Sequence, residues 1–65
     1  MYELIKEKNG IFLFKLYGEN KYIITRKVKI LGENGVYYTT PDFDEENNLY
    51  FDIKSKALEK MIELI

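Results

Sequence analysis

Three short glycine clusters constrain the fold of this chain more than any other feature: Asn9-Gly10, Gly18-Glu19-Asn20 and Gly32-Glu33-Asn34-Gly35. Each cluster separates runs rich in Ile, Val, Phe, Tyr and Thr, the residues that favour strands. Asn-Gly tolerates the positive φ angles of a type I′ turn, so the two-residue link between Lys8 and Ile11 predicts a tight β-hairpin. The sequence therefore predicts an antiparallel β-meander.

The alternation of apolar residues locates the strands. We expect strands at residues 2–8, 11–17, 21–31 and 36–40, a shorter optional fifth at 49–53, and a helix at 54–65. The predicted fold is one α+β domain, residues 1–65, in which an antiparallel meander of four to five strands is followed by one C-terminal helix.

The helix has an apolar stripe. Leu58, Met61, Ile62 and Ile65 repeat at i, i+3, i+4 and i+7 beside Ala57, which predicts that this side is buried. Ser55 or Asp52 is the predicted N-cap.

The order of a hairpin, a three-stranded meander and a C-terminal helix resembles that of the small archaeal chromatin proteins with SH3-like barrels. The resemblance lies in the order of elements and not in a motif. It implies that the sheet could roll into a small barrel with the helix over one open end. It assigns no binding residue, because the chain has a pI near 5.4 and lacks the strong basic charge of those proteins.

Both faces of the predicted sheet are apolar. The first hairpin places Ile5, Phe12, Phe14 and Leu16 on one face, the predicted core. A three-residue loop at residues 18–20, with Asn20 left-handed, would place Tyr22, Ile24, Val28 and Ile30 on the same face as this predicted core. A two- or four-residue loop would instead place the two sets on opposite faces. With the three-residue loop the other face holds Leu4, Ile11, Leu13, Ile23, Leu31 and Val36. Such a face is too apolar for a free monomer, so we expect a partner or a second copy to cover part of it.

The small size of the chain also favours a partner or a second copy. A chain of 65 residues buries only about 60% of its unfolded surface, and small domains usually need further support. The absence of Cys and His excludes disulfides and a zinc or other imidazole or thiolate site. No signal peptide or membrane-spanning stretch is visible. We expect a cytoplasmic protein, without membrane association, from a source such as a low-GC bacterium or its phage.

The side chains needed for catalysis are scarce. The chain has no His to act as a base, no Cys nucleophile, and a single serine, Ser55. We therefore expect no enzyme activity, no cofactor and no small-molecule substrate. In the acidic segment 42–48, carboxylates at 42, 44 and 46 match three calcium-loop positions, but Asn47 replaces the turn glycine and Ile53 the bidentate glutamate. We expect a solvated turn and no metal site.

Charge is unevenly distributed. Seven basic against four acidic side chains give residues 1–40 a net charge of +3, and three against seven give residues 41–65 a net charge of −4. Lysines interleaved with tyrosines on a sheet suit phosphate contacts and base stacking. The alternative function is thus an SH3-like nucleic-acid binder that uses Lys15, Lys21, Lys27 and Lys29 with Tyr17 and Tyr38.

The leading hypothesis is a non-enzymatic protein-interaction module, a homodimer or a small regulator or inhibitor that docks on a larger protein. The surplus of apolar and aromatic residues motivates it, because such residues dominate interface energetics. The expected contact residues are Ile11, Leu13, Tyr17, Ile23, Leu31 and Tyr38.

Overall fold

Six strands and one helix follow one another along the chain in the computed structural model, which describes residues 1–65. They are β1 (Tyr2–Lys8), β2 (Ile11–Leu16), β3 (Tyr22–Thr25), β4 (Val28–Glu33), β5 (Val36–Pro41), β6 (Leu49–Phe51) and α1 (Lys54–Leu64). The antiparallel α+β fold with a C-terminal helix is confirmed. The sheet does not roll into a barrel: β1-β2-β3-β6 form one open sheet, and β4-β5 form a separate two-stranded ribbon.

The first hairpin has the predicted turn. Asn9 and Gly10 have φ angles of 54° and 75°, and Lys8 pairs with Ile11. Further along, the pairing departs from prediction, because Leu4 rather than Ile5 pairs with Phe14. A β-bulge between Leu4 and Lys6 accommodates Ile5 as an extra residue. Ile5 consequently leaves the face of Phe12 and Phe14 and packs against the core on the other side.

The connection between β2 and β3 sets which residues face the helix. Leu13 pairs with Ile24 and Phe14 pairs with Ile23, so residues 17–20 form a four-residue loop in which Gly18, not Asn20, has a positive φ. The predicted three-residue loop was wrong. As expected for a loop with an even number of residues, Tyr22 and Ile24 share a face with Ile11 and Leu13.

The main core lies between this face and α1. It consists of six buried residues: Ile11, Leu13, Tyr22, Ile24, Ala57 and Met61. The partly buried Leu58 and Leu64 complete the helix stripe, whereas Ile62 and Ile65 are exposed. The predicted stripe was therefore correct at Ala57 and Met61 and wrong at Ile62 and Ile65. The helix begins after Ile53, which has no side-chain cap hydrogen bond, so neither predicted N-cap is used.

A smaller core lies on the opposite face. Phe14 and Ile23 are fully buried there. Thr40 and Pro41, at the end of β5, are buried as well. The chain continues across this side, where the Phe43 ring lies 5.5 Å from the Tyr2 ring. The chain itself thus covers both faces of the four-stranded sheet.

The predicted third strand, 21–31, is broken in two. The Thr25 hydroxyl donates a hydrogen bond to the Lys27 carbonyl (2.9 Å) and accepts one from the Lys27 N–H (3.2 Å). These local bonds replace ladder bonds and turn the chain away from the sheet. The next two strands, β4 and β5, leave the first sheet and form the ribbon, so Val28 and Ile30 do not join the core of Tyr22 and Ile24 as predicted.

Candidate functional site

The outer part of the β4–β5 ribbon, residues 30–38, projects from the domain; we call it the β4–β5 arm. Asn34 and Gly35 form its tip with φ angles of 53° and 80°, and Glu33 pairs with Val36 across this two-residue turn. At about 3.4 Å per residue, the strand from Lys29 to the tip spans roughly 20 Å. The molecule is accordingly elongated, with extents of 37 × 24 × 19 Å.

Both faces of the arm expose large apolar side chains. Pairing places Ile30 and Tyr37 on one face, and Leu31, Val36 and Tyr38 on the other. Ile30 is 72% exposed and Tyr37 is 74% exposed. An isolated two-stranded ribbon is marginally stable in water, and a monomer rarely exposes so much contiguous apolar surface. The arm is therefore the surface of this molecule whose exposure most needs an explanation.

One side chain of the arm is held in a defined position. Gly32 pairs with Tyr37, and a Cβ added at Gly32 would overlap the Tyr37 ring. The ring thus lies across the glycine backbone, an arrangement in which an aromatic residue covers a cross-strand glycine. Tyr37 presents a flat ring to solvent beside Ile30, and Gly32 is required for this placement.

A set of charged side chains ties the base of the ribbon to the acidic segment 42–48. The Lys29 ammonium lies 3.4 Å from an Asp42 carboxylate oxygen and 3.3 Å from one of Asp44. Lys27 lies 3.8 Å from Glu45, and the Asp42 N–H donates to the Lys27 carbonyl. These contacts form a clamp, residues 27–29 with 42–45, that fixes the direction in which the arm leaves the domain.

Two groups in the clamp have shifted pKa values. The Asp44 N–H donates to Asp42 Oδ1 (3.0 Å), and this bond, with the nearby lysines, holds the Asp42 pKa below its ordinary value of 3.8 despite partial desolvation. The hydrogen bond to Asp44 and the charges of Asp42 and Asp44 raise the pKa of Lys29 above 10.5. Both shifts favour the charged forms, so the clamp is intact between these two pKa values.

The expected contact residues divide into three groups. Ile11, Leu13 and Ile23 are fully buried in the protein's own cores, so their predicted exposure was wrong. Leu31 and Tyr38 pair with each other on one face of the arm. Tyr17 is exposed in the β2–β3 loop, apart from the arm. Of the six, only Leu31 and Tyr38 lie together on an exposed surface.

The expected contact residues did not include Ile30, Val36 or Tyr37, although sequence reasoning placed Val36 on the face that a partner was expected to cover. It placed Ile30 on the core side because it extended the third strand through Lys27 into the sheet. The signal that could have found them is the unbroken apolar run Val36-Tyr37-Tyr38 beside an Asn-Gly turn. Because side chains alternate along a strand, such a run places apolar residues on both faces of its sheet. Both faces are then either buried within the protein or left exposed.

The four lysines of the nucleic-acid alternative do not form one stripe. Lys15 lies on the helix side of the first sheet, while Lys21 and Lys27 lie at opposite ends of β3. Lys27 and Lys29 are engaged by carboxylates of the clamp. The acidic segment therefore offsets the charge that phosphate contacts would need.

Two clefts are present. The larger, about 340 Å³, has an entirely polar lining formed by the clamp and residues 46–47. The smaller, about 230 Å³, is lined mainly by apolar side chains of β1, β3 and β6, among them Tyr2, Ile23 and Tyr50. Neither cleft contains a His or Cys side chain, and no group of three or more acidic side chains is arranged to hold a metal ion.

The only helix, α1, has eleven residues, and no helix in the structure has the length and hydropathy needed to cross a bilayer. Comparisons with protein-family models, with curated proteins and with solved structures gave no match for this chain. The function is therefore argued from the geometry of the arm.

Proposed function

We propose that this chain is a non-enzymatic protein-interaction module and that the β4–β5 arm is its contact element. The observation that carries the proposal is the exposure of five large apolar side chains on both faces of a projecting ribbon: Ile30, Leu31, Val36, Tyr37 and Tyr38. Aromatic and aliphatic anchors of this kind supply most of the binding energy at protein interfaces.

The construction of the domain supports this role. The arm is not needed to cover either face of the first sheet, because the helix covers one and the segment from Thr40 to Phe43 lies on the other. The ribbon is nevertheless fixed at its base by the clamp and at its tip by a tight turn. A preorganised element loses less conformational entropy on binding than a flexible loop of the same composition.

The test is site-specific photo-crosslinking in cells that express the protein. A photoreactive phenylalanine replaces Tyr37 on the arm, and the matched control replaces Tyr17; both tyrosines are 74% exposed. We expect a discrete protein adduct at position 37, identified by mass spectrometry, and none at position 17. No adduct at position 37, or the same adducts at both positions, would overturn the proposal.

A further inference from the structure

We propose that the partner of the arm is a second copy of this chain, joined by antiparallel pairing of the outer edges of two β4 strands about a two-fold axis through Leu31. This inference rests on the proposed function, since it names the partner of the same surface. The result is a four-stranded sheet in the order β5-β4-β4-β5, with the inner two strands from different molecules.

The backbone of β4 provides the free edge. Glu33 and Val36 flank a two-residue turn and form a hydrogen-bonded pair, so paired and unpaired positions alternate from there toward the base. The backbone N–H and C=O groups of Leu31 and Lys29 are therefore hydrogen-bonded to β5. The hydrogen bond from the Asp42 N–H to the Lys27 carbonyl continues this alternation. The backbone groups of Val28, Ile30 and Gly32 therefore point away from β5, toward an edge with no neighbouring strand.

The register follows from the charges of β4. With the axis at Leu31, Ile30 of one copy pairs with Gly32 of the other, and these residues carry the outward-pointing groups. Lys29 then lies opposite Glu33 of the second copy, twice in the dimer, and opposite charges at such positions stabilise antiparallel pairs. The two neighbouring registers lose this pair. With the axis at Ile30, Lys29 would lie opposite Leu31 of the second copy, and Glu33 opposite Lys27, which precedes β4; with the axis at Gly32, Lys29 would lie opposite Gly35 of the turn.

Lys29 and Glu33 are both free to form this contact between the two copies. Glu33 is exposed and takes part in no ion pair within the chain, while Lys29 remains about half exposed. A lysine ammonium has three N–H donors, and Asp42 and Asp44 use two of them. Glu33 of the second copy would accept the third.

The same register also buries part of the apolar surface of the arm. Leu31 contacts its own counterpart across the axis, with Tyr38 and Val36 of each copy on the same face. A two-fold interface of this type is isologous and closes at two copies. Pairing along one strand edge buries less than the roughly 800 Å² per partner of a standard interface, so we expect a weak, concentration-dependent dimer.

The first test is sedimentation velocity from about 10 μM to 1 mM protein. Glu33→Lys would place two lysines opposite each other at both ends of the pairing, so we expect at least roughly tenfold weaker association. Glu19→Lys, in the exposed β2–β3 loop, makes the same charge change outside the arm and should leave association unchanged. Both variants alter exposed side chains without an ion pair in the chain, so both should fold.

Disulfide trapping tests the register independently. The chain has no cysteine, so each variant carries one thiol. Leu31 should lie about 4.5 Å (Cα to Cα) from its counterpart, within disulfide range, so Leu31→Cys should oxidise to a dimer. Ile30 lies opposite Gly32 of the second copy and not opposite itself, so Ile30→Cys should not.

Efficient trapping at position 30 instead of 31, or a dimer weakened equally by both charge variants, would overturn this register. A wild-type protein that stays monomeric at 1 mM would overturn self-pairing altogether. The interaction module would still stand if the photoreactive residue at position 37 captured another protein, and it would fail with the dimer if position 37 captured nothing.

Discussion

Leu13 and Leu31 are both expected contact residues from the sequence, but the structure buries Leu13 in the core and exposes Leu31 on the arm. Truncating each to alanine should therefore lower the free energy of unfolding by different amounts. Leu13 is 0% exposed between the first sheet and α1, whereas Leu31 is 43% exposed on the arm. Leu13→Ala leaves a cavity in a packed core and should cost about 2–5 kcal/mol of unfolding free energy. Leu31→Ala removes contacts that are already half solvated and should cost about 1 kcal/mol or less.

The size of the domain makes this difference easy to measure. At ~0.05–0.15 kcal/mol per residue, a chain of this length has a total stability of about 3–10 kcal/mol. Leu13→Ala can therefore unfold the protein outright, and Leu13→Val, which should cost about 1 kcal/mol, provides a graded second variant.

The assay is urea denaturation followed by far-UV circular dichroism, at low micromolar protein so that association does not contribute. The midpoint should fall for both Leu13 variants in proportion to the volume removed, and it should hardly move for Leu31→Ala. The slope with urea should stay constant, since each variant exposes nearly the same surface on unfolding. Equal losses at Leu13 and Leu31 would refute the assignment of Leu13 to the core and Leu31 to the surface.

Three further predictions concern the clamp, the strand break and the helix start. The ionised carboxylate of Asp42 stabilises the folded state at pH values above its ordinary pKa of 3.8, and this contribution is lost as the pH falls through the lowered pKa of the folded state. In urea titrations the wild type should therefore be more stable than Asp42→Asn at neutral pH, and the two should converge as the carboxylate is protonated in acid. A difference in stability that does not shrink as the pH falls would exclude the ion pair as its cause. Thr25→Val keeps the shape of the buried side chain but removes both hydrogen bonds to the Lys27 backbone, and it should cost about 1–3 kcal/mol, measured by thermal denaturation; a neutral effect would show that these bonds do not hold the break. Ile53→Ser supplies the missing N-cap at an exposed residue with extended backbone (φ −123°, ψ 124°), and it should raise stability by about 0.5–1 kcal/mol in the same assay, whereas Ser55→Ala should have little effect.

The Asn9-Gly10 hairpin turn was the part of the fold that the sequence predicted best. Asn9-Gly10 specifies its own backbone conformation, and the hairpin followed from these two residues. The pairing register of the strands was predictable only as far as the first irregularity. The bulge at Ile5 and the four-residue loop at 17–20 each change which face of the sheet the side chains of a strand point to, because side chains alternate with a period of two.

The candidate site depended on this register and was therefore predicted only in part. The surplus of apolar residues was read correctly from the sequence, but Ile11, Leu13 and Ile23 are covered by the chain itself. Their cover comes from α1 and from the segment after β5, which contact the sheet only in the folded domain. The break at Arg26 and Lys27, which creates the arm, coincides with the hydrogen bonds of the Thr25 hydroxyl to the Lys27 backbone, and nothing in the strand pattern of 21–31 indicates it.

Amide hydrogen exchange of the arm, measured by NMR as a function of protein concentration, tests the central claim most directly. In the isolated chain the N–H groups of Ile30 and Gly32 point to the free edge, while that of Leu31 is bonded to β5. The account predicts that protection at Ile30 and Gly32 increases with concentration, while protection at Leu31 is present at every concentration. Fast exchange at Ile30 and Gly32 up to 1 mM would contradict the pairing of two arms.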